Sequence, residues 1–234
     1  MKGESVRPFI NRMTPTQTAV GWVYLPLYAL ALPMLLGVAA YLSPRELTEA
    51  QINLLYTGIS LAVVLIAMFS YLRRSFYVLW DEPGRCLSAV LRGMVALYAM
   101  SLLMSLLLTA LDSLDSTPND AEIALMMGSA PGVFTGLIIF LDPIVEEVMF
   151  RGVVFGSIRL RSRFWAYAVS AALFSLCHVW QYALAYHDPW TLLYALRYLP
   201  HSLALAWCYE RSGSIWASIF FHMAVNGLSL FVLG

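Results

Sequence analysis

The stretch Asp142-Pro143-Ile144-Val145-Glu146-Glu147-Val148-Met149-Phe150-Arg151-Gly152 sets four ionisable side chains inside an otherwise apolar run. Near the centre of a membrane helix a charged side chain costs roughly 2.5 to 3.5 kcal/mol on insertion scales. Such groups therefore face a bundle interior or a wet cavity and mark function. Composition agrees with a membrane setting. The 234 residues are 60% hydrophobic and 12% charged, with a mean hydropathy of +0.72, against roughly 25% charged residues in soluble domains. The expected fold is all-α, a polytopic membrane helix bundle of about seven transmembrane helices forming one integral-membrane domain over residues 1–234.

Working outward, the helix that carries this stretch is predicted from near Ala130 to about Gly156. Gly128, Gly132 and Gly136 recur at intervals of four near its start, a spacing that lets helices approach closely in lipid and is read as intramolecular packing. Before it, apolar runs predict spans at about Ala19 to Leu42, bent at Pro26 or Pro33, then Gln51 to Leu72 and Leu87 to Leu111. A capping-box-like start is read at Ser43-Pro44-Arg45-Glu46. Ser116-Thr117-Pro118-Asn119-Asp120 reads as the start of a short surface helix. After it, spans are predicted at about Phe164 to Ala185, Trp190 to Tyr209 and Ser214 to Leu233. Arginine and lysine cluster before the first span, between the second and third, and between the fourth and fifth, so the positive-inside rule puts the N-terminus in the cytoplasm. Cys86, Cys177 and Cys208 lack metal-ligand spacing and read as packing residues. No basic tract points to nucleic acid.

Three polar clusters interrupt the apolar helices of the second half: Glu146-Glu147 with Arg151, Phe174 with His178, and His222 with Asn226. Glu147 and Arg151 are four apart, so the arginine can neutralise that carboxylate within one helix. Asp142 stands one turn before Glu146. A glutamate and a histidine from facing helices could deprotonate a trapped water, while a second histidine and an asparagine donate hydrogen bonds to a developing oxyanion. The same groups could instead hold zinc through Glu146, His178 and His222. His187 and His201 read as interfacial or packing residues, and Trp165, Trp180 and Trp190 as interfacial belts.

Glu-Glu-x-x-x-Arg, Phe-x-x-x-His and His-x-x-x-Asn, in this order on successive helices, resemble the CAAX protease and bacteriocin-processing (CPBP) family, related to the type II CAAX prenyl endopeptidases. Tyr209-Glu210-Arg211-Ser212-Gly213-Ser214-Ile215-Trp216-Ala217 resembles that family's approach to its last motif. The resemblance covers roughly Leu137 to Asn226. It implies a motif-free N-terminal region, 1–129, and a catalytic core, 130–234. It further implies an intramembrane endopeptidase in which Glu146 and His178 activate water, His222 and Asn226 form the oxyanion site, and Glu147 and Arg151 support them. A glutamate mechanism without a cofactor is the favoured form, with zinc on Glu146, His178 and His222 as the alternative. The partners implied are the bilayer and a peptide or protein substrate, lipidated or otherwise membrane-associated. The expected setting is a bacterial cell membrane, with the site nearer the cytoplasmic side.

Other hydrolase arrangements fail on geometry. Cys177 and His178 are adjacent on a helix and point about 100° apart. Ser214 and His222 lie roughly 12 Å apart along one helix, too far for a nucleophile and its base. No His-Glu-x-x-His occurs. A proton-coupled carrier using Asp142, Glu146 and the histidines would predict inverted repeats with broken helices, and none is read. A non-catalytic membrane scaffold or immunity protein would keep the cluster and cleave nothing.

Overall fold

The computed structural model describes residues 9–110 and 118–233, and within them the chain is helical with no strand. We number the helices α1 (Pro15–Leu42), α2 (Glu49–Asp81), α3 (Pro83–Ala110), α4 (Pro118–Ser129), α5 (131–159), α6 (Arg163–Cys177), α7 (Trp180–Ala185), α8 (189–212) and α9 (Ile215–Leu233). By length and composition α1, α2 and α3 can each cross a membrane, and α6 and α9 hold shorter apolar stretches. Ile66, Phe69, Val95 and Leu103 on α2 and α3 are largely exposed, the arrangement expected where lipid takes the place of water.

Local chemistry fixes the ends and bends. Thr14 and Gln17 form a capping box at α1, and Thr48 and Gln51 form another at α2. The second of these corrects the expected start at Ser43. Thr-x-x-Gln satisfies two orphan amides reciprocally, whereas the Ser43 hydroxyl accepts only from the Arg45 amide. In α1 the bend falls between Pro26 and Pro33, as a π-helical turn at Leu27–Ala31. The α4 helix begins at Pro118 as read, and Ser116 and Thr117 lie outside the described residues.

The largest departure is at α6, where one helix to Ala185 was expected. The helix stops at Cys177, and His178 and Val179 form a tight turn before α7. His178 Nδ1 lies 2.8 Å from the Phe174 carbonyl, the acceptor that its own amide would otherwise use. Side-chain competition for a backbone acceptor thus ends the helix. The predicted sixth span likewise opens as a 3₁₀ segment, Pro189–Tyr198, before the α-helical Leu199–Ser212.

Helix α5 is the axis of the bundle. It alternates α turns with π turns at Leu137–Leu141 and Glu147–Phe155, and all nine residues of the second π segment are buried. Phe150, Val153 and Phe155 pack among Val64, Met68 and Tyr71 of α2, Phe174 of α6, Tyr209 of α8 and Ile219 of α9. Helix α1 crosses α5 so closely that a Cβ on Gly21 would lie 2.3 Å from a Val153 methyl carbon. Gly128, Gly132 and Gly136, by contrast, have nothing within 4 Å of an added Cβ, so the small-residue stripe does not serve packing among the described residues.

Basic residues gather at one end of the bundle. Arg74 donates to the Arg12 carbonyl (2.8 Å), Arg12 to the Gly213 carbonyl (3.3 Å) and Arg85 to the Arg211 carbonyl (2.8 Å). Arg159 and Arg163 both bind Glu210, at 2.5 and 2.9 Å. Gly213 ends α8 at φ +71°, a left-handed conformation that costs glycine little. Just beyond it, Ser214 donates to the Ser75 carbonyl and the Ile215 amide donates to the Ser75 hydroxyl, fastening the start of α9 to α2.

Candidate active site

Burying an arginine and a glutamate inside a helix bundle requires that their charges be paired. Glu147 and Arg151 are both 0% exposed and paired at 3.0 Å. Arg151 also donates to the carbonyl and hydroxyl of Ser202 on α8, and its guanidinium lies 4.2 Å from the centre of the Phe174 ring. Glu147 accepts from the Ser218 hydroxyl at 2.5 Å and from His222 Nδ1 at 2.9 Å. The pair thus ties α5 to α6, α8 and α9 and sets the His222 ring.

Glu146, the next residue, faces a different environment. Its Oε2 is buried, has no hydrogen-bond partner among the described residues, and lies 4.0 Å from His178 Nε2 and 3.8 Å from His222 Nε2. Those distances exceed a hydrogen bond. The tautomers follow from the other ring nitrogens. A carbonyl can only accept, so His178 Nδ1 carries the hydrogen that binds Phe174. His222 Nδ1 likewise donates to the Glu147 carboxylate. Nε2 of each ring then faces Glu146. His178 is held in addition between Phe174 (4.5 Å) and Tyr198 (4.7 Å).

Three other site residues are accounted for locally. Asp142 accepts from the buried Thr57 hydroxyl at 2.6 Å. Asn226 donates to the Ile138 carbonyl at 2.9 Å, and the reason lies in the π turn beneath it. The Asp142 amide bonds back to Leu137 rather than Ile138, and Pro143 has no amide hydrogen to offer in its place. Asn226 supplies the missing donor. His201, read from sequence as a packing residue, instead lies in the site, its ring 4.7 Å from that of His222. No residue on its own helix marks it, because its neighbours come from α6 and α9.

These groups line a cavity of about 550 Å³. Its walls include Tyr28 and Gly37 of α1, Glu49, Tyr56 and Thr57 of α2, Glu122 and Met126 of α4, and Ser229 of α9. The N-terminal helices, which carry no motif, therefore build much of the chamber. Glu122 accepts a hydrogen bond from Tyr182, joining α4 to α7 across it. Glu49, Glu122, Asp142 and Glu146 all face this lining, and no lysine or arginine of the described residues does. The cavity occupies the half of the bundle away from the arginine-rich end.

Glu146, His178 and His222 are the groups that would hold a metal. Two ligands at about 2.1 Å on a tetrahedral zinc stand roughly 3.4 Å apart, so the donor types suit zinc while their separations here are wider. Among the described residues no three acidic, histidine or cysteine side chains have metal-centre spacing.

Fold and site together define a multi-pass membrane helix bundle with a buried carboxylate and histidine centre. Residues 128–228 match the model of the Rce1-like family, described as type II CAAX prenyl endopeptidase Rce1-like, which bears out the resemblance read from the three motifs. The chain is also similar to a Bacillus subtilis (strain 168) protein described as "Putative membrane peptidase YdiL", with 29% identity over 87 residues. That alignment covers 37% of this chain and 31% of the Bacillus protein. No solved structure matches the chain.

Proposed function

We propose that this protein is a membrane-embedded endopeptidase that hydrolyses a peptide bond with water activated by Glu146 and His178. The observation that carries this reading is the unpaired Glu146 Oε2 facing two histidine Nε2 atoms at 3.8 and 4.0 Å. A water between them loses a proton to Glu146, with His178 accepting its second hydrogen bond, and its oxygen adds to the carbonyl carbon. The tetrahedral oxyanion is stabilised by hydrogen bonds. The proton then passes from Glu146 to the amide nitrogen as the carbon–nitrogen bond breaks, leaving a carboxylic acid and an amine, between which a proton passes to give carboxylate and ammonium. Asn226 faces the oxyanion with its remaining amide hydrogen, His222 joins it only with a hydrogen on Nε2 as well as on Nδ1, and Glu147 and Arg151 hold His222 in position.

The reaction needs no cofactor in this reading, and no step passes through a metal. The substrate is a peptide or protein segment that reaches the cavity from the bilayer, and a neutral or basic segment suits a lining that offers carboxylates and no cation. The experiment compares membranes containing the wild type with membranes containing Glu146→Gln, mapping new peptide termini by mass spectrometry. Termini that vanish in the variant establish the endopeptidase and name its substrate and cut site. Identical termini with the protein still folded would favour a non-catalytic scaffold. Dialysis against a strong chelator is expected to leave cleavage intact, and loss restored by zinc alone would overturn the cofactor-free reading.

A further inference from the structure

Stabilising an oxyanion requires donors that are free in the resting site, and most of those near Glu146 are already engaged. His222 commits its Nδ1 hydrogen to Glu147 and His178 commits its own to the Phe174 carbonyl. Asn226 gives one of its two amide hydrogens to Ile138, and the Ser218 hydroxyl donates to Glu147.

His201 is different. It lines the same cavity, with its ring 4.7 Å from that of His222 at an angle of 69° and 5.8 Å from that of Phe174. Its Nε2 is buried and has no hydrogen-bond partner among the described residues. Buried polar atoms are paired in nearly all proteins, so an unpaired one in a catalytic cavity calls for a partner that arrives later. A donor held ready and unpaired is also what stabilises charge that develops only in the transition state.

Resting on the peptidase reading of Glu146, we propose that His201, with its hydrogen on Nε2, is a further catalytic residue, donating an imidazole hydrogen bond to the carbonyl oxygen of the scissile peptide as that oxygen becomes negative. No proton is transferred to or from His201. It complements the remaining amide hydrogen of Asn226.

The test uses the full-length protein in liposomes and a peptide spanning the cut site mapped by the Glu146→Gln comparison. His201→Ala is expected to lower kcat by about 10²- to 10³-fold, with KM changed by less than about threefold. His201→Gln, which keeps a donor, is expected to recover at least about tenfold of that loss. His201→Phe keeps ring packing without a donor and should remain as slow as alanine. Wild-type kcat in the alanine or phenylalanine variant overturns the proposal. So does activity that returns with phenylalanine and not with glutamine, because that pattern belongs to packing. If alanine prevents folding, the glutamine and phenylalanine pair decides alone. A wild type without Glu146-dependent cleavage refutes the underlying reading, and this proposal with it, before any His201 variant is compared.

Discussion

Replacing Arg151 with methionine should destabilise the protein by about 3 to 5 kcal/mol. Arg151 and Glu147 are both 0% exposed, so no solvent is at hand to take up the carboxylate left behind. Methionine can occupy much of the volume of the arginine stem and still touch Phe174. What disappears is the 3.0 Å ion pair, the bonds to Ser202 and the cation over the Phe174 ring. Ser218 and His222 continue to donate to Glu147, which places the cost nearer 3 than 5 kcal/mol. The double variant Glu147→Gln/Arg151→Met removes both charges of the pair. It should recover about 2 kcal/mol, its residual cost arising from the imperfect pairing of Ser218 and His222. Equilibrium unfolding in detergent micelles, followed by far-ultraviolet circular dichroism, measures both. An Arg151→Met variant within about 1 kcal/mol of wild type, or a double variant worse than the single one, would refute this account of how the site is held together.

Gly21→Ala should cost about 1 to 3 kcal/mol by forcing α1 away from Val153, whereas Gly37→Ala, with nothing within 4 Å of the new carbon, should be neutral or slightly stabilising; thermal unfolding of the two variants separates crowding from helix propensity. Glu210 lies at the arginine-rich end, beyond the spans. Burial by itself would raise its pKa, and hydrogen bonds from Arg159, Tyr167 and Arg163 more than offset this, so its carboxyl ionises below the ordinary glutamate range. A carboxyl depressed in the folded state stabilises at pH above its unfolded value and loses that contribution as pH falls through the folded one. Glu210→Gln should therefore cost about 1 to 2 kcal/mol near neutral pH, with the gap to wild type closing as the medium is acidified below about pH 4.3. Arg163 is more than half exposed and screened, so Arg159 and Tyr167 carry most of that effect.

The polar core of the site was legible in the chain because ionisable residues stand out in apolar runs. Glu146, Glu147, Arg151, His178, His222 and Asn226 each have a sequence neighbour at helical spacing, and the Glu147–Arg151 pair follows from that spacing alone. What crosses between helices was not legible. His222 was expected at the oxyanion site; its Nε2 lies 3.8 Å from Glu146 while its Nδ1 binds Glu147, a division that depends on how α9 lies against α5. The break at His178 depends on which carbonyl a side chain takes, and the commitment of Asn226 to Ile138 depends on a π turn created ahead of Pro143. Hydrophobic periodicity reports none of these. His201 was read as interfacial or packing, and its place on the cavity wall emerges only once the rings beside it are placed. The cavity wall built by α1, α2 and α4 was invisible for the same reason, since tyrosine, threonine and glutamate near helix ends carry no motif.

The most direct test of the account is the turnover of purified wild type and Glu146→Gln on the mapped peptide in liposomes, with the unfolding transition of each recorded in parallel. Glutamine keeps the shape of the side chain and removes its basicity. The account predicts a fall in kcat of about 10² to 10⁴-fold with the unfolding transition unchanged. A folded Glu146→Gln variant that turns over within about tenfold of wild type would contradict the claim that this carboxylate activates the water.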